Sequence, residues 1–375
     1  MFNLEIPMFA IRNGSGSGLA SSIYNLVRGL AALGKKVRLP YTTKHRLDAQ
    51  FVSWSETNEY VEFRKCPAVP GGVQTRFVEE FLYANMRKKG AQVLYPNYFM
   101  PPELFRRNDA ISVIIHDCQH RMFPNYFSSR KRRWLDLNFH RSLKRADHVF
   151  LISEFEKSQI ARYYGESLAN RCSVIYNSID WSRYECGTPS EDVLKMTSKP
   201  YILSVAHQYP HKNTLKLIKS YLNLSERYAD FDLILVGTPS NEVSEFLDSC
   251  VPEKQRQKII LAGFVSDADL GRLYRYARLF VLASSYEGFG MPAVEAAGFA
   301  VPVLVTNGTA LPEVTLGRAA YCADDASPQA WAEAISQHLD HKRSAEEYRT
   351  LADAVRKRFA PTAVATALLR ESASA

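Results

Sequence analysis

Short apolar runs alternate with helical stretches along almost the whole chain, and this alternation limits the folds that are open to it. The front half holds runs such as "AISVIIHD", "HVFLIS" and "CSVIYN", and the back half holds "YILSVA", "FDLILVG", "KIILAGF", "ARLFVLAS" and "PVLVTN". Apolar strands separated by helices are typical of a parallel sheet that is covered by helices on both faces. Two such series predict an α/β protein with two Rossmann-like, doubly wound domains.

The polar stretch "DWSRYECGTPSEDVLKMTSKP", residues 180–200, separates the two series. It contains glycine and proline, which interrupt regular structure. We therefore predict an N-terminal domain over residues 1–185 and a C-terminal domain over residues 186–360. A last helical stretch, residues 361–375, could join the N-terminal domain. A chain of 375 residues is long enough to bury two cores.

The positive charge is concentrated in the front half. The formal net charge is +8, and residues 1–185 carry 27 Lys and Arg against 17 Asp and Glu, a balance of +10. A phospholipid surface, a nucleic acid and a phosphorylated substrate are the anionic partners that such a surface suits. The basic segment at residues 128–147 has no aromatic stacking platform and no known nucleic-acid module, so we predict no nucleic acid partner.

The sequence indicates a cytoplasmic protein. Six cysteines at irregular spacing are typical of reduced thiols. The first residues, "MFNLEIPMFAIRN", have an acid where a signal peptide has a base, and no run approaches the roughly twenty apolar residues that span a bilayer. We expect peripheral attachment at the inner face of the cell membrane, where an anionic surface would meet "RKRR" at 130–133 and "MRKK" at 86–89.

The stretch "SSYEGFGMPAVEAA", residues 284–297, follows a strand-like run and places Glu287 and Glu295 eight positions apart. Pro292 suits the first turn of a helix, whose N–H groups bind anions, and the glycines before it let an anion approach the backbone. Carboxylates accept hydrogen bonds from neighbouring hydroxyls, so the stretch suits a sugar nucleotide. Acids in first helical turns and glycine turns are also common in doubly wound folds, and spacing alone favours that structural interpretation.

The residues "EGFGMPAVEA" closely resemble the E-x7-E signature of the retaining GT-B glycosyltransferases of family four, which include many bacterial mannosyltransferases of surface polysaccharide assembly. Other segments resemble, in the family's order, its glycine loop with the first helix, its His-Asp segment and the start of its second domain. They are "SGLASSIYNLVRGLAALGKKV", "VIIHDCQHRMFP" and "YILSVAHQYPHKNTLKLIKSY". The resemblance covers nearly the whole chain and implies the GT-B fold, in which two Rossmann-like domains face each other across a cleft.

The resemblance also implies roles for individual residues. Glu287 would contact hydroxyls of the donor sugar, Glu295 would hold the ribose hydroxyls, and Lys212 would neutralise the diphosphate that leaves. The family's arginine before this lysine is missing here, and His207 or His211 could replace it if protonated. The other implied contacts come from His116 beside the transferred sugar, Gly18 near the reaction centre, the backbones of Phe289, Gly290 and Met291, and Phe264 with Val265 at the base.

Three further motifs could instead indicate a dinucleotide site or a metal site. The run "GSGSG" at 14–18 could be a dinucleotide fingerprint, but the second strand ends in "VRLPYTT", without the acid that would bind a ribose. The segment "HDCQH" at 116–120 lacks a spaced further ligand for zinc. The segment "DAD" at 267–269 mimics the metal-binding Asp-x-Asp of other glycosyltransferases, but it follows Ser266 at a predicted helix start, where acids cap. We predict no metal and no cofactor.

Together these features predict a retaining enzyme that moves a hexose from a nucleotide sugar, with GDP-mannose favoured, to a lipid-linked or membrane-associated oligosaccharide in surface polysaccharide synthesis. The donor would bind mainly to the C-terminal domain and the acceptor mainly to the N-terminal one. Two alternatives stay open: a sugar-nucleotide epimerase or phosphorylase on the same fold, and a non-catalytic GT-B subunit that binds a partner. Donor-dependent release of nucleoside diphosphate separates these classes.

Overall fold

The computed structural model describes residues 4–11, 18–44, 47–71, 75–87, 90, 92–99, 101, 110–207, 209–340 and 344–373. The chain divides into two compact units, residues 1–179 with 359–375 and residues 180–358. It therefore passes from the first unit to the second after Ile179 and returns after Arg358. The predicted division after residue 185 lies a few residues beyond the first of these crossings.

In the described part of the first unit, seven parallel strands form one sheet in the order β3-β2-β1-β4-β5-β6-β7. The strands are β1 (Leu4–Glu5), β2 (Val37–Tyr41), β3 (Val61–Lys65), β4 (Gln92–Tyr95), β5 (Ile111–Ile115), β6 (His148–Leu151) and β7 (Cys172–Val174). The helices are α1 (Gly18–Ala32), α2 (Ala49–Glu56), α3 (Arg76–Met86), α4 (Gln119–Met122), α5 (Ser129–Arg145), α6 (Glu154–Tyr164) and α7 (Glu166–Ala169).

In the described part of the second unit, six parallel strands form a sheet in the order β10-β9-β8-β11-β12-β13. The strands are β8 (Tyr201–Val205), β9 (Asp232–Val236), β10 (Ile259–Gly263), β11 (Leu279–Leu282), β12 (Val303–Thr306) and β13 (Ala320–Cys322). The helices are α8 (Glu191–Met196), α9 (Thr214–Leu222), α10 (Asn241–Cys250), α11 (Glu253–Arg256), α12 (Asp267–Tyr276), α13 (Met291–Gly298), α14 (Leu311–Val314), α15 (Pro328–Asp340) and α16 (Ala345–Phe359).

Burial on both faces explains why these strands are apolar throughout. Every residue of β9, β11 and β12 is buried. On one face of the second sheet, Leu235 and Leu304 belong to the same core cluster as Trp331 and Ile335 of α15 and Leu217 of α9. Burying one such side chain contributes about 1.5–3 kcal/mol. The topology confirms the prediction of two Rossmann-like, doubly wound domains.

A last helix, α17 (Pro361–Ala373), belongs to the first unit and packs on α1. Gly29 of α1 makes this close approach possible, because a Cβ there would lie 2.0 Å from the carbonyl oxygen of Pro361. Just before α17, the carbonyl of Phe359 accepts a hydrogen bond from the backbone N–H of Ile179 at 2.8 Å. The C-terminal stretch is thus part of the same packed body as the N-terminal sheet.

A buried acid ties β1 to its neighbours. Glu5 is buried, and guanidinium nitrogens of Arg38, Arg64 and Arg87 lie 3.3, 3.7 and 3.6 Å from its carboxylate. The hydroxyl of Tyr83 on α3 donates to the same carboxylate at 2.7 Å. A buried carboxylate is tolerated when it is paired and hydrogen-bonded in this way. The contact fixes the orientation of α3 against the sheet.

The second unit holds the last turn of α13 against an indole ring. A Cβ at Gly298 would lie 2.2 Å from Nε1 of Trp181, which donates to the carbonyl of Glu295 at 3.4 Å. Arg356 donates from Nε to the carbonyl of Gly298 at 2.7 Å, and its guanidinium lies 5.5 Å from the centre of the Trp181 ring. The position of α13 therefore depends on a glycine at its C-terminal end.

Replacing Gly298 by alanine should destabilise the second unit, because the added methyl would overlap the indole of Trp181. We expect the free energy of unfolding to fall by about 1–3 kcal/mol, as in other overpacked cores. In an unstrained helix the same substitution stabilises by about 0.4–1 kcal/mol. A loss of stability here would therefore indicate the overlap with Trp181. Urea unfolding followed by circular dichroism measures the change.

The matched control is the same substitution in a Trp181→Ala background. The overlap is absent there, so Gly298→Ala should be neutral or stabilising. An equal loss in both backgrounds would show that the indole does not constrain Gly298.

Candidate active site

The glycine turn after β11 lies at the carboxyl edge of the second sheet. The chain runs through Glu287 and reaches α13 at Gly290, with Pro292 in the first helical turn. Gly290 has φ of +85°, and a Cβ there would lie 2.6 Å from Cδ2 of Leu311. The left-handed backbone, together with this contact, favours glycine. The N-terminus of α13 and the glycines before it thus occupy the edge where doubly wound sheets bind phosphate groups.

Two of the predicted donor-binding side chains meet at this turn. β8 is followed by a short 3-10 turn, Pro210–Lys212, and Nζ of Lys212 donates to Oε1 of Glu287 at 2.8 Å. The next residue, Asn213, is left-handed, and its amide donates to the carbonyl of Ala283 at 2.9 Å, which joins the two loops. Both charged side chains are largely buried. A cation and a carboxylate are therefore held in contact at the carboxyl edge of the sheet.

The second glutamate, Glu295 on α13, is buried among hydroxyl and guanidinium groups. Its Oε2 accepts from the hydroxyl of Tyr274 at 2.8 Å, and a guanidinium nitrogen of Arg183 lies 4.0 Å from Oε1. Arg183 also lies 3.5 Å from Asp267 and donates to the hydroxyl of Tyr184 at 2.8 Å. Burial, together with the charge of Glu295, raises the pKa of Tyr274 well above its usual value. The Tyr274 hydroxyl therefore keeps its proton and acts as a donor to the carboxylate.

A row of aromatic rings follows the ends of β10 and β8. Phe264 is 69% exposed and Tyr209 61% exposed. The ring of His207 lies between them, with its centroid 5.6 Å from that of Phe264 and 6.2 Å from that of Tyr209. Val265 is half-buried beside Phe264. The structure thus brings the residues predicted at the base and one candidate for the missing arginine to the same edge of the sheet, where exposed rings are available to stack on a base.

His211, the other candidate for the missing arginine, is not a cation at neutral pH. Its ring is stacked on that of Tyr209, with 5.8 Å between centroids. Burial, reinforced by the charge of Lys212, lowers the pKa of His211 to about 4 and outweighs the opposing effect of Glu287. The low pKa of His211 favours His207 as the replacement for the arginine, and this role stays a prediction.

Two predicted site residues, His116 and Gly18, belong to the first unit. His116 directly follows β5, and its Nε2 lies 3.1 Å from the carbonyl oxygen of Pro96, which can only accept, so Nε2 carries the proton. Burial lowers the pKa of His116 to about 4, so the ring is neutral at pH 7 and Nδ1 is an acceptor. Gly18 is the exposed first residue of α1, and the rest of the "GSGSG" loop lies outside the described residues.

The remaining predicted backbone contacts come from Phe289, Gly290 and Met291. The side chain of Phe289 is buried, and Met291 is the first residue of α13. Their main chains therefore line the turn between Glu287 and the helix.

The motifs that could mimic metal sites have other partners. The segment "DAD" opens α12 as predicted, but the cap is Ser266, which accepts from the N–H of Asp269, and the acids lie in the first turn. The carboxylate of Asp269 accepts from the N–H of Ser190 at 2.7 Å. In "HDCQH", Nε2 of His120 lies 3.0 Å from Asp136 of α5. Within the described ranges, no group of three or more His, Cys, Asp or Glu side chains is arranged to hold a metal ion. The absence of a metal requirement stays a prediction.

Sequence patterns did not single out Arg183 or Tyr274, although both contact Glu295. Arg183 lies in the stretch that was assigned to the domain junction, and Tyr274 lies in the helical run "LGRLYRYA". Their spacing from Glu295 along the chain is too long for any periodic pattern. The one available signal was Tyr274 itself, on the apolar face of a predicted helix. Buried tyrosine hydroxyls usually have a hydrogen-bond partner, so this residue indicated a buried acceptor nearby.

Comparison with known proteins identifies the class to which this fold and site belong. The family model described as "Glycosyl transferases group 1" matches residues 189–358, and the one described as "Glycosyltransferase Family 4" matches residues 16–183. O-antigen chain mannosyltransferase B of Escherichia coli is 31% identical over 265 residues, which cover 69% of this chain and 67% of that protein. O-antigen chain mannosyltransferase RfbU of Salmonella typhimurium is 30% identical over 229 residues, 61% of this chain and 60% of that protein.

Solved structures share the fold over the whole chain. HepE of Anabaena, solved with UDP and glucose, has a TM-score of 0.75 at 14% identity and covers 100% of both chains. WaaG, described as a glycosyltransferase involved in lipopolysaccharide biosynthesis, has a TM-score of 0.71 at 14% identity and covers 99% of this chain and 100% of its own. The fold is therefore GT-B, two Rossmann-like domains in one chain. The chain belongs to glycosyltransferase family 4 and is a glycosyltransferase, which confirms the resemblance drawn from the sequence.

Substituting His211 by glutamine should flatten the acid dependence of stability. The pKa of His211 is about 4 in the folded protein and about 6.5 in an unfolded chain, so the unfolded state binds more protons between these values. Stability is therefore complete above about pH 6.5 and falls as the pH drops towards 4, by about 2 kcal/mol at pH 5 for one such group. Urea unfolding at about pH 7 and pH 5 measures the difference between wild type and variant.

The control is His140→Gln, at an exposed position of α5. It should leave the difference between the two pH values close to that of the wild type. A His211→Gln protein that loses as much stability on acidification as the wild type would refute the assignment.

Proposed function

We propose that this glycosyltransferase moves a hexose from a nucleotide sugar to a glycan acceptor in polysaccharide synthesis, with retention of the anomeric configuration. The observation that carries the proposal is the Lys212–Glu287 pair at the glycine turn before α13. Lys212 would neutralise charge that develops on a departing nucleoside diphosphate, and Glu287 would accept hydrogen bonds from hydroxyls of the donor sugar. The first turn of α13 would add backbone N–H groups at the same place.

The proposed donor is GDP-mannose. Two relatives of this chain are named as mannosyltransferases of O-antigen chains, which supports mannose as the sugar. HepE was solved with UDP and glucose. UDP sugars should therefore be tested as donors beside GDP-mannose. At the proposed base site, Phe264 and Val265 follow β10, and His207 would contribute a positive charge near the diphosphate when it is protonated.

The other proposed contacts divide between the two units. Glu295 would hold the ribose hydroxyls with the carboxylate that Tyr274 orients. Phe289, Gly290 and Met291 would offer backbone groups to the sugar and diphosphate. In the first unit, His116 would accept a hydrogen bond from the transferred sugar at Nδ1, as a neutral ring. Glu287 would position the sugar and would not attack it, so the leaving group and the acceptor would use the same face of the ring.

Donor-dependent release of nucleoside diphosphate tests the function. A thermal-shift panel of nucleotide sugars identifies the donor first, since a ligand that binds the folded state raises its apparent stability. Glu287→Gln should keep the fold and lose about 1.5–3 kcal/mol of transition-state binding, or roughly 10- to 150-fold in turnover. Glu245→Gln, at an exposed position of α10, is the matched control. Near-normal turnover of Glu287→Gln would remove this residue from the site.

Recognition of the ribose gives a second prediction. Tyr274→Phe removes only the hydroxyl that donates to Glu295 and keeps the ring, which stacks on Phe299 with 5.6 Å between centroids. We expect the variant to lose selectivity for GDP over 2′-deoxy-GDP by about tenfold, because the carboxylate is no longer held in place. Isothermal titration with both nucleotides measures the ratio.

Tyr228→Phe is the control for this experiment, because the Tyr228 hydroxyl donates to Asp340 at 2.6 Å in the same unit, away from α13. It should leave the ratio unchanged. A wild type that binds both nucleotides equally would speak against Glu295 as the ribose ligand. An unchanged ratio in Tyr274→Phe alone would speak only against the positioning role of Tyr274.

A lipid-linked acceptor and peripheral attachment at the inner face of the cell membrane complete the proposal. Arg130, Lys131 and Arg133 are exposed on α5, within the half of the chain whose charge balance is +10. Each basic residue near an anionic surface contributes about 1 kcal/mol. Lys88 and Lys89 of the second basic run lie outside the described residues. Among the described helices, none is both long enough and apolar enough to cross a bilayer.

A further inference from the structure

Helix α3 carries acids on its buried side and large apolar residues on its exposed side. Glu79 is 2% exposed and Glu80 0% exposed, and they share the buried side with Tyr83 and Ala84. Three apolar side chains face outward, with Phe77 42%, Val78 46% and Phe81 46% exposed. A surface helix normally buries its apolar stripe and exposes its charges. A contiguous apolar face on the outside of a folded unit marks an interaction surface.

Polar contacts on the inner side hold α3 in this orientation. The carboxylate of Glu79 lies 3.6 Å from Nζ of Lys44, and that of Glu80 accepts from Nε of Arg76 at 2.8 Å. The hydroxyl of Tyr83 donates to the buried acid of β1. Turning the helix to bury these apolar residues would break the contacts of Glu79 with Lys44 and of Tyr83 with Glu5, whereas the Arg76–Glu80 pair lies within α3. The outward apolar face is therefore a fixed property of the folded unit.

The apolar face continues onto the basic helix α5. The ring of Phe77 lies 5.4 Å from that of Trp134, measured between centroids. Trp134 directly follows the exposed Arg133, and Leu137, one turn further along α5, is 66% exposed. Arg130, one turn before Trp134, is also exposed. The apolar–basic face, as we name it, consists of Phe77, Val78, Phe81, Leu137, Arg130 and Arg133.

We propose that the apolar–basic face inserts into an anionic lipid bilayer, with the apolar side chains of α3 at the acyl boundary and the arginines of α5 at the phosphate headgroups. Apolar and aromatic side chains beside basic ones are the combination that binds at a bilayer interface. Anionic headgroups complement the +10 balance of residues 1–185. The inference rests on the proposed membrane attachment and adds to it, because charge alone gives contact that salt removes, whereas insertion gives contact that resists salt.

Charge also decides against a second copy of this chain as the occupant. In a two-fold contact the same patch meets itself, so four arginines would enter one interface, and the apolar–basic face contains no acid to pair with them. An anionic bilayer offers negative headgroups to the arginines and an apolar layer beneath them to the apolar side chains. A bilayer is fluid, so the protein surface does not have to match a fixed shape.

Vesicle co-sedimentation of the full chain tests the proposal. We expect binding to mixed phosphatidylglycerol and phosphatidylcholine vesicles and much less to phosphatidylcholine alone. Part of that binding should persist at about 0.5 M salt, where screening is nearly complete. Val78→Ser/Phe81→Ser should lose this salt-resistant fraction by about tenfold, since the inserted apolar groups are gone. Arg130→Gln/Arg133→Gln should instead lose most of the binding at low salt.

Two controls keep the result interpretable. Tyr276→Ser alters a residue that is 52% exposed on α12 of the second unit, and it should bind as the wild type does. Phe81→Trp keeps a large apolar ring and adds a fluorophore at the proposed contact. If this ring enters the bilayer, brominated acyl chains should quench the fluorescence that the variant adds. Tyr276→Trp should show no such quenching. Thermal unfolding and donor-dependent release of nucleoside diphosphate show that each variant is folded and active.

Unchanged salt-resistant binding in Val78→Ser/Phe81→Ser, or no bromine quenching in Phe81→Trp, would overturn the proposal. A dimer that light scattering detects in the wild type and not in Val78→Ser/Phe81→Ser would overturn it in favour of a second copy. Any of these three results would leave the glycosyl transfer proposal intact, because release of nucleoside diphosphate tests that proposal separately. A wild type that inserts into vesicles and turns over no donor would refute the transfer proposal and leave insertion standing.

Discussion

The left-handed turn at Gly290 is the constraint on which the rest of the second unit's site depends. Its φ of +85° strains any side chain, and the turn lets the chain pass from a buried strand into a helix within a few residues. As a result, the two glutamates of one short motif have different partners. Glu287 faces the cation of Lys212, and Glu295 faces the hydroxyl of Tyr274. One carboxylate is thus paired with a charged side chain of a neighbouring loop, whereas the other is hydrogen-bonded to a buried tyrosine of the unit's core.

Much of the fold could be predicted from the sequence because parallel strands that are covered on both faces carry an unbroken apolar signal. The runs "FDLILVG" and "ARLFVLAS" correspond to β9 and β11, whose residues are all buried. The turn that carries Glu287 and Gly290 was also readable, since a helix start with proline and glycine has local signals. Local patterns could not supply the partners of these residues, because Lys212 and Glu287 are 75 positions apart.

The environment of a side chain was harder to predict than its position. His207 and His211 are equivalent in the sequence as replacements for an arginine, and the sequence does not show that burial lowers the pKa of His211 to about 4. Helix α3 shows the same limit on a larger scale. Its pattern of Phe77, Val78 and Phe81 is what an inward face would carry, but on the inner side Glu79 pairs with Lys44 and the hydroxyl of Tyr83 donates to Glu5 instead. Contacts between residues far apart in the chain therefore set the orientation of α3, which hydrophobic periodicity alone does not predict.

The return of α17 to the first unit has a consequence for the order in which the protein is made. The second unit is one continuous stretch of chain, residues 180–358, so all of it has been synthesised before α17 exists. The first unit lacks the helix that covers α1 beside Gly29 until after that point. Domains usually fold from the N-terminus onwards during translation. Here the first unit completes its packing only when the C-terminal helix has been made, so one face of α1 stays uncovered while the second unit is being synthesised.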